Sequence, residues 1–197
     1  MTTLSYYDKH TKEFIKLTRD VDFKTIQDKF LSYLKDHASI LDFGCGSGRD
    51  TRYFLDHGYN VTAIDGSKEI CIEATKYTGI SVKQMLFDEL EEENIYDGIW
   101  ACASILHLPK KNLENVFDKM SKALKKEGII YTSFKYGDFE GKRKDRYFTD
   151  FTQETFTNFI FKIQQLKMKE IWITGDVREG RGDERWLNII LQKTNTY

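Results

Sequence analysis

The stretch Ile40-Leu41-Asp42-Phe43-Gly44-Cys45-Gly46-Ser47-Gly48-Arg49-Asp50 decides how this chain is read. An apolar run ends on an acidic residue and meets glycines at alternate positions. A second apolar run, Val61-Thr62-Ala63-Ile64, ends on Asp65. One strand that delivers a glycine turn and a next strand that delivers a carboxylate can hold a nucleotide-type ligand. Glycine lets the backbone approach closely, and the carboxylate accepts from ribose hydroxyls. The dinucleotide pattern G-x-G-x-x-G would need its third glycine where this chain has Arg49; here it falls one residue early, at Gly48. The phosphate loop G-x-x-x-x-G-K-[ST] is absent. Asp42, directly before the loop, disfavours a pyrophosphate and suits a cationic or amino-acid-bearing ligand. The plain alternative is a tight turn that binds nothing.

Outward from this stretch, strands and helices alternate. Strands are predicted at 39–43, 60–64, 81–86, 96–103 and 129–134, with helices at 50–57 and 68–77. A further helix carries Leu113, Val116, Phe117, Met120 and Leu124 and is expected to end at Gly128. Asp22 is positioned to cap a helix bearing Phe23, Ile26, Phe30 and Leu34, and Phe156, Phe159, Ile160 and Ile163 mark a last helix. Two β-rich runs, 169–174 and 185–192, close the chain with no helix between them. They must form an antiparallel hairpin, because a parallel return needs a crossover of about a dozen residues. The fold class is therefore α/β: a doubly wound, Rossmann-like sheet, mostly parallel, with a C-terminal antiparallel hairpin.

At 197 residues the chain suits one such domain: a helical cap over 1–37, a ligand-binding core over 38–135, and a lid with the terminal hairpin over 136–197. Thirty basic and 31 acidic residues give a net charge of −1, so no global field draws the chain to nucleic acid or membrane. No run approaches the ~20 apolar residues that span a bilayer. Cys45, Cys71 and Cys102 are widely spaced and make no metal-ligand pattern. The expectation is a cytoplasmic protein, monomer or homodimer, without a metal and acting on a small molecule.

Asp42-Phe-Gly44-Cys-Gly46-Ser-Gly48 resembles motif I of the class I S-adenosylmethionine-dependent methyltransferases. The resemblance continues through Asp65, Phe87-Asp88, the Tyr96-Asp97-Gly98-Ile99-Trp100 run and the Leu124-Lys-Lys-Glu-Gly128 turn, where a proline and one glycine of the family pattern are replaced. Arg49-Asp50-Thr51 and the ending 177–188 are similar to small bacterial enzymes grouped with tellurite-resistance and ubiquinone-biosynthesis-like methyltransferases. The family's seven-stranded sheet also ends in a hairpin.

The resemblance implies S-adenosylmethionine as cofactor and S-adenosylhomocysteine as product. Gly44, Cys45, Gly46 and Gly48 would pass beneath the cofactor, and Asp42 would face its amino group. Asp65 would accept from the ribose, although capping the next helix is the structural alternative. Gly66 and Ser67 would line the adenosine edge and Phe87 would pack on the ring; Asp88 would accept from the adenine amino group, the alternative being that Asp88-Glu-Leu-Glu-Glu-Glu93 is an ordinary solvated acidic run. Ala101, Cys102 and Ala103 would sit beneath the reacting carbon. Arg49 would hold the helix start or the cofactor carboxylate.

On the acceptor side the candidates are Ser104, Lys135, Tyr147, Arg178, Arg181, Arg185 and Trp186, with His107 and Tyr136 as catalytic candidates. His107 is either a base or a packing residue. The arginines either bind an anionic acceptor or pair with Glu179, Asp183 and Glu184. Tyr6 and Tyr7 either close over the site or simply pack near the terminus, and the charged segment 137–150 is either a lid or a solvated loop. No Asn/Asp-Pro-Pro-aromatic motif follows the fourth strand, which disfavours nucleic-acid bases and favours a small polar or anionic acceptor. Competing readings are a non-catalytic cofactor-binding module and an NAD-dependent oxidoreductase.

Overall fold

A computed structural model describes residues 2–178 and 180–194. Seven strands form one sheet in the order β3-β2-β1-β4-β5-β9-β8. They are β1 (Ser39–Phe43), β2 (Asn60–Asp65), β3 (Val82–Gln84), β4 (Tyr96–Ala101), β5 (Leu124–Lys135), β8 (Leu166–Gly175) and β9 (Arg185–Lys193). The first five are mutually parallel, and β9 runs antiparallel to both β5 and β8. The terminal pair is thus a hairpin whose second strand inserts between β5 and the edge. The composition of the two strands explains the order. Leu187, Ile189, Ile190 and Leu191 of β9 are buried, whereas β8 carries Lys167, Lys169 and Glu170, which a sheet edge tolerates.

Alternation along the strands divides the core between the two sheet faces. Ile40, Trp100, Tyr131 and Ile190 pack with α2 (Lys24–Leu31) and with Phe54 of α3 (Arg49–Asp56). On the other face, Leu41, Phe43, Ile99, Ile130 and Phe134 pack with α5 (Lys110–Ala123) and α6 (Gln153–Ile160). Helix α4 (Lys68–Thr78) covers β2 and β3 through Cys71 and Ala74. No helix among the described residues is long and apolar enough to cross a membrane.

Several local expectations change. The helix after Asp22 ends at Leu31, short of Leu34, and Asp22 accepts from the Lys24 amide rather than serving as its N-cap, which is Phe23. β3 holds only Val82–Gln84, and just beyond it the Met85 N–H still donates to the Asp65 carbonyl of β2 at 3.0 Å. α5 stops at Ala123, five residues before Gly128, because Leu124 already pairs with Tyr96 in the sheet. The charged segment after β5 is ordered as a second small sheet, β6 (Glu140–Arg143) with β7 (Arg146–Thr149). The N-terminal cap begins with α1 (Thr3–Thr18), closed at its start by a Thr2/Ser5 capping box.

Candidate active site

A cavity of about 740 Å³ opens beyond the carboxyl ends of β1, β2, β4 and β5. This is where the strand order reverses, β2 lying to one side of β1 and β4 to the other, and ligands of doubly wound sheets bind in that crevice. α1 lies across one wall, contributing Thr3, Leu4, Tyr7 and Phe14. The β6–β7 hairpin contributes Arg146 and Phe148.

Gly44, Cys45 and Gly46 line the cavity. Gly44 has φ +90°, and a Cβ there would lie 2.5 Å from the Ser104 Cβ, so the chain fits only without a side chain. Asp65, at the end of β2, accepts from the Gly46 amide at 3.0 Å and from the Ser67 amide at 2.9 Å. Its carboxyl faces the cavity, and burial pushes its pKa up to about 6. Each oxygen keeps a lone pair beyond its backbone bond, so the group can also accept from paired hydroxyls. Gly66, Phe87 and the exposed Asp88 continue the same wall. These features fit an adenosyl ligand: a backbone cradle that side chains would fill, and a carboxylate aimed into it.

Four sequence-predicted cofactor residues do not line the cavity. Asp42 is buried at 1% exposure behind the loop, where it accepts from the Thr51 hydroxyl at 2.5 Å. Burial and the neighbouring Asp50 charge push its carboxyl well above the usual carboxylate range. Gly48 is glycine for another reason, since a Cβ at its φ of +80° would meet the Thr78 Cγ2 of α4 at 2.8 Å. Ser67 caps α4, and its hydroxyl donates to Asp8 of α1 at 2.6 Å. Ala101 points into the core under α5, because alternation along β4 sends it away from the face beside Arg49 and Cys102.

Beyond β4 the backbone turns sharply. Ala103 takes φ +48°, held by its amide donating to the Ser133 hydroxyl at 2.9 Å. Cys102 and Ala103 face the cavity, and burial pushes the Cys102 thiol up to about 12, so it is a small apolar wall rather than a nucleophile. Ser104 also lines the cavity, but its hydroxyl donates to the Phe43 carbonyl at 2.6 Å. Arg49 forks onto Asp50 at 2.8 and 2.9 Å and stacks on the Phe23 ring. Asp50 accepts further from Gln27 at 2.6 Å and from the Trp100 indole at 2.8 Å, tying α2, α3 and β4 together.

On the opposite wall, His107 is held at both nitrogens. Its Nδ1 lies 2.6 Å from the Tyr147 carbonyl, which can only accept, so Nδ1 carries the proton. Nε2 then accepts from the Tyr7 hydroxyl at 2.8 Å. Burial lowers the His107 pKa to about 4, so the ring is neutral at pH 7. The Tyr7 oxygen accepts in turn from Arg146 Nη1 at 3.3 Å, and burial raises the phenol's pKa.

Lys135, Arg178, Arg181 and Trp186 line the cavity too, each with a partner. Lys135 pairs with Glu184, and Arg181 with Glu184 at 3.5 Å. Arg178 pairs with Asp176 at 2.5 Å, and the Trp186 indole donates to Asp176 at 3.0 Å. Burial opposes ionisation of Asp176, but these bonds hold it down at about 2. Glu179 lies outside the described residues. Arg185 is exposed and away from the cavity, as is Tyr136, whose ring stands 38% exposed beside the Phe151 bridge. The Tyr147 ring turns outward to Glu140, leaving only its backbone at His107.

Phe14, Arg146 and Asp176 are among the wall residues that the sequence reading did not single out. Phe14 packs at Gly46, where a glycine Cβ would meet its ring at 3.2 Å. The alternation in Arg146-Tyr147-Phe148 was a usable strand signal inside a segment read by its charge alone. Among the described residues no group of three or more His, Cys, Asp or Glu is arranged to hold a metal ion.

The switch-point crevice, the side-chain-free loop and Asp65 at the second strand end are the features that the resemblance to class I S-adenosylmethionine-dependent methyltransferases implies. In the comparison with known proteins, residues 40–128, a little under half of the chain, match a family described as a methyltransferase domain. The chain is 32% identical over 99 residues to the ubiquinone biosynthesis O-methyltransferase of Rickettsia typhi, covering 48% of this chain and 39% of that protein. It is 30% identical over 132 residues to the pavine N-methyltransferase of Thalictrum flavum subsp. glaucum, covering 60% and 36%. The chain thus spans between a third and two fifths of the length of these curated relatives. In fold it is similar to the Burkholderia thailandensis 1,6-didemethyltoxoflavin-N1-methyltransferase, solved with 1,6-didemethyltoxoflavin and S-adenosylhomocysteine, with a TM-score of 0.79, 20% identity, and 97% and 87% of the two chains covered.

Proposed function

We propose that this chain transfers a methyl group from S-adenosylmethionine to a small polar or anionic acceptor. One observation carries the reading: a single cavity runs from the Gly44–Gly46 loop and Asp65 to the Tyr7, His107 and Arg146 wall. It offers one end for the cofactor and one for an acceptor. When bound, the cofactor supplies an electrophilic methyl group on a sulfonium, and transfer is an in-line displacement.

The residues supply position. Asp65 accepts from the ribose hydroxyls, and Asp88 from the adenine amino group with Phe87 against the ring. The backbone at Gly44 and Gly46 carries the methionine portion. Asp42 acts from behind the loop, fixing Thr51 and the start of α3. Arg49, balanced by Asp50, presents its outer edge to the cofactor carboxylate. Cys102 and Ala103 leave room for the reacting carbon. Such alignment alone is worth on the order of 7–11 kcal/mol in favourable intramolecular models.

Calorimetry with S-adenosylmethionine, S-adenosylhomocysteine and NAD tests the cofactor. Binding of NAD in preference to both adenosyl ligands would overturn the reading in favour of an oxidoreductase. Incubation with a labelled methyl donor and a small-metabolite extract tests turnover. Adenosyl binding without any labelled product would favour a non-catalytic module.

A further inference from the structure

The cations around the cavity are not equivalent. Arg49, Lys135, Arg178 and Arg181 each face a carboxylate. Lys111 reaches the cavity from an exposed position. Arg146 alone is half-buried in the wall with no acidic partner among the described residues. Its one polar contact is the Tyr7 hydroxyl at 3.3 Å. Aromatic rings brace it, with the guanidinium carbon 4.8 Å from the Tyr6 centroid, 5.8 Å from Tyr7 and 5.1 Å from Phe148. Rings hold a guanidinium in place without cancelling its charge. A fixed, uncompensated cation in a concave wall is an anion site awaiting its anion.

The same wall is poor in bases. The His107 Nε2 lone pair is taken by Tyr7, and Asp176 is locked between Arg178 and Trp186. Asp65 stands at the cofactor end against Gly46 and Ser67. An acceptor that arrives protonated has no free base waiting for its proton. Phe14, Phe23, Leu106, Phe148 and Trp186 make the remaining surface largely aromatic and apolar.

We propose that the acceptor is an aromatic ring bearing an ionised oxygen, a phenolate or an arene carboxylate, held by the Arg146 guanidinium, which the Tyr7 hydroxyl oxygen positions. This rests on the methyltransferase reading above. Arg146 selects the conjugate base and keeps it ionised in the site. His107 is a positioning residue that accepts from Tyr7 and so turns the phenol oxygen toward Arg146. The oxygen's lone pair forms the new C–O bond as the methyl carbon's bond to sulfur breaks, its electron pair passing to sulfur. A negative oxygen and a positive sulfonium become a neutral ether or ester and a thioether, and no proton leaves the site.

The test uses the full chain loaded with S-adenosylhomocysteine and 4-nitrophenol as probe, whose absorbance distinguishes phenol from phenolate. Bound 4-nitrophenol should ionise at least about one pH unit below its value in buffer, a tenfold preference for the phenolate. Nitrobenzene, its uncharged counterpart, should bind at least about tenfold more weakly. Arg146→Met should abolish the shift, and Arg146→Lys should retain part of it. Displacement of 4-nitrophenolate by benzoate would assign the carboxylate form, and failure to displace it the phenolate form, both within the proposal.

An unlowered midpoint in the wild type, equal binding of nitrobenzene, or a shift that survives Arg146→Met would overturn the proposal. S-adenosylhomocysteine affinity is measured on every protein. If the wild type does not bind it, the cofactor reading fails first. If it binds normally and the probe does not respond, only the acceptor proposal fails. Should Arg146→Met lose the ligand through misfolding, the wild-type midpoint and Arg146→Lys still decide.

Discussion

Affinity for the adenosyl ligand should fall on acidification, and Asp65 should be the cause. The carboxyl sits at the end of β2 with its pKa raised from 3.8 to about 6 by burial, against the opposing effect of the Ser67 and Gly46 amides. A ribose held through two hydroxyls needs the ionised form, which accepts at both oxygens; the protonated form offers one donor and fewer acceptors. If only the ionised form binds, the apparent dissociation constant scales as one plus ten to the power of the pKa minus the pH. Between pH 7 and pH 5 that is a weakening of roughly tenfold, or about 1.4 kcal/mol. His107 stays neutral over this window because its pKa is about 4. Asp42 lies behind the loop, and burial with the neighbouring Asp50 charge pushes its carboxyl well above the usual carboxylate range. The assay is isothermal calorimetry with S-adenosylhomocysteine at pH 5, 6 and 7 on wild type and Asp65→Asn. The variant turns an amide N–H toward one of the two backbone donors and loses a charge-assisted acceptor, so it should bind about 1.5–3 kcal/mol more weakly at pH 7. Its affinity should vary less with pH, and subtraction removes the ligand's own ionisation. Equal wild-type affinities at pH 5 and pH 7, with Asp65→Asn unimpaired, would refute the ribose role.

Other consequences concern the scaffold. Asp50→Ala strands the donors of Gln27, Trp100 and Arg49 in a buried position and should cost about 3–5 kcal/mol in urea unfolding; a loss below about 1 kcal/mol would show that the network is dispensable. Gly48→Ala forces a left-handed alanine against Thr78 and should destabilise by at least about 1–2 kcal/mol, while the folded fraction keeps its S-adenosylhomocysteine affinity; a selective loss of affinity would return Gly48 to the cofactor site. His107 has a pKa lowered from 6.5 to about 4, so the unfolded chain binds more protons between those values. Its contribution is therefore full above pH 6.5 and lost as the pH falls through about 4, with an amplitude on the order of 3 kcal/mol. His107→Gln should remove that acid sensitivity from chemical unfolding curves at pH 4 to 7, and an unchanged slope would contradict the buried neutral ring.

The end of the cavity formed by Gly44, Gly46 and Asp65 was legible along the chain because its geometry is local. Gly44, Gly46 and Asp65 each stand at the end of an apolar strand, and parallel pairing of β1 with β2 brings the strand ends together without further information. Gly48 and Asp42 stand in the same motif but do not line the cavity. Both belong to the recognised pattern, yet one fits against Thr78 and the other holds Thr51, and nothing in the spacing separates a residue that touches a ligand from one that shapes the loop. Position along a strand does separate Ala101 from Cys102, since side chains alternate. The order of the last two strands was also readable in hindsight, from the apolar β9 and the charged β8.

By itself, then, the sequence determined the alternating α/β fold, the terminal hairpin and the loop-and-carboxylate end of the cavity, all consequences of short-range periodicity and of glycine's backbone freedom. Only the tertiary structure decided the acceptor wall. Tyr7 meets His107 across 100 positions and Arg146 across 139, and each pairing exists because α1 and the β6–β7 hairpin fold over the same strand ends. It also decided which cations are spent. Lys135, Arg178 and Arg181 resemble Arg146 along the chain, but carboxylates reach the first three and aromatic rings surround the fourth, and charge compensation is fixed by distance in space rather than by order in sequence.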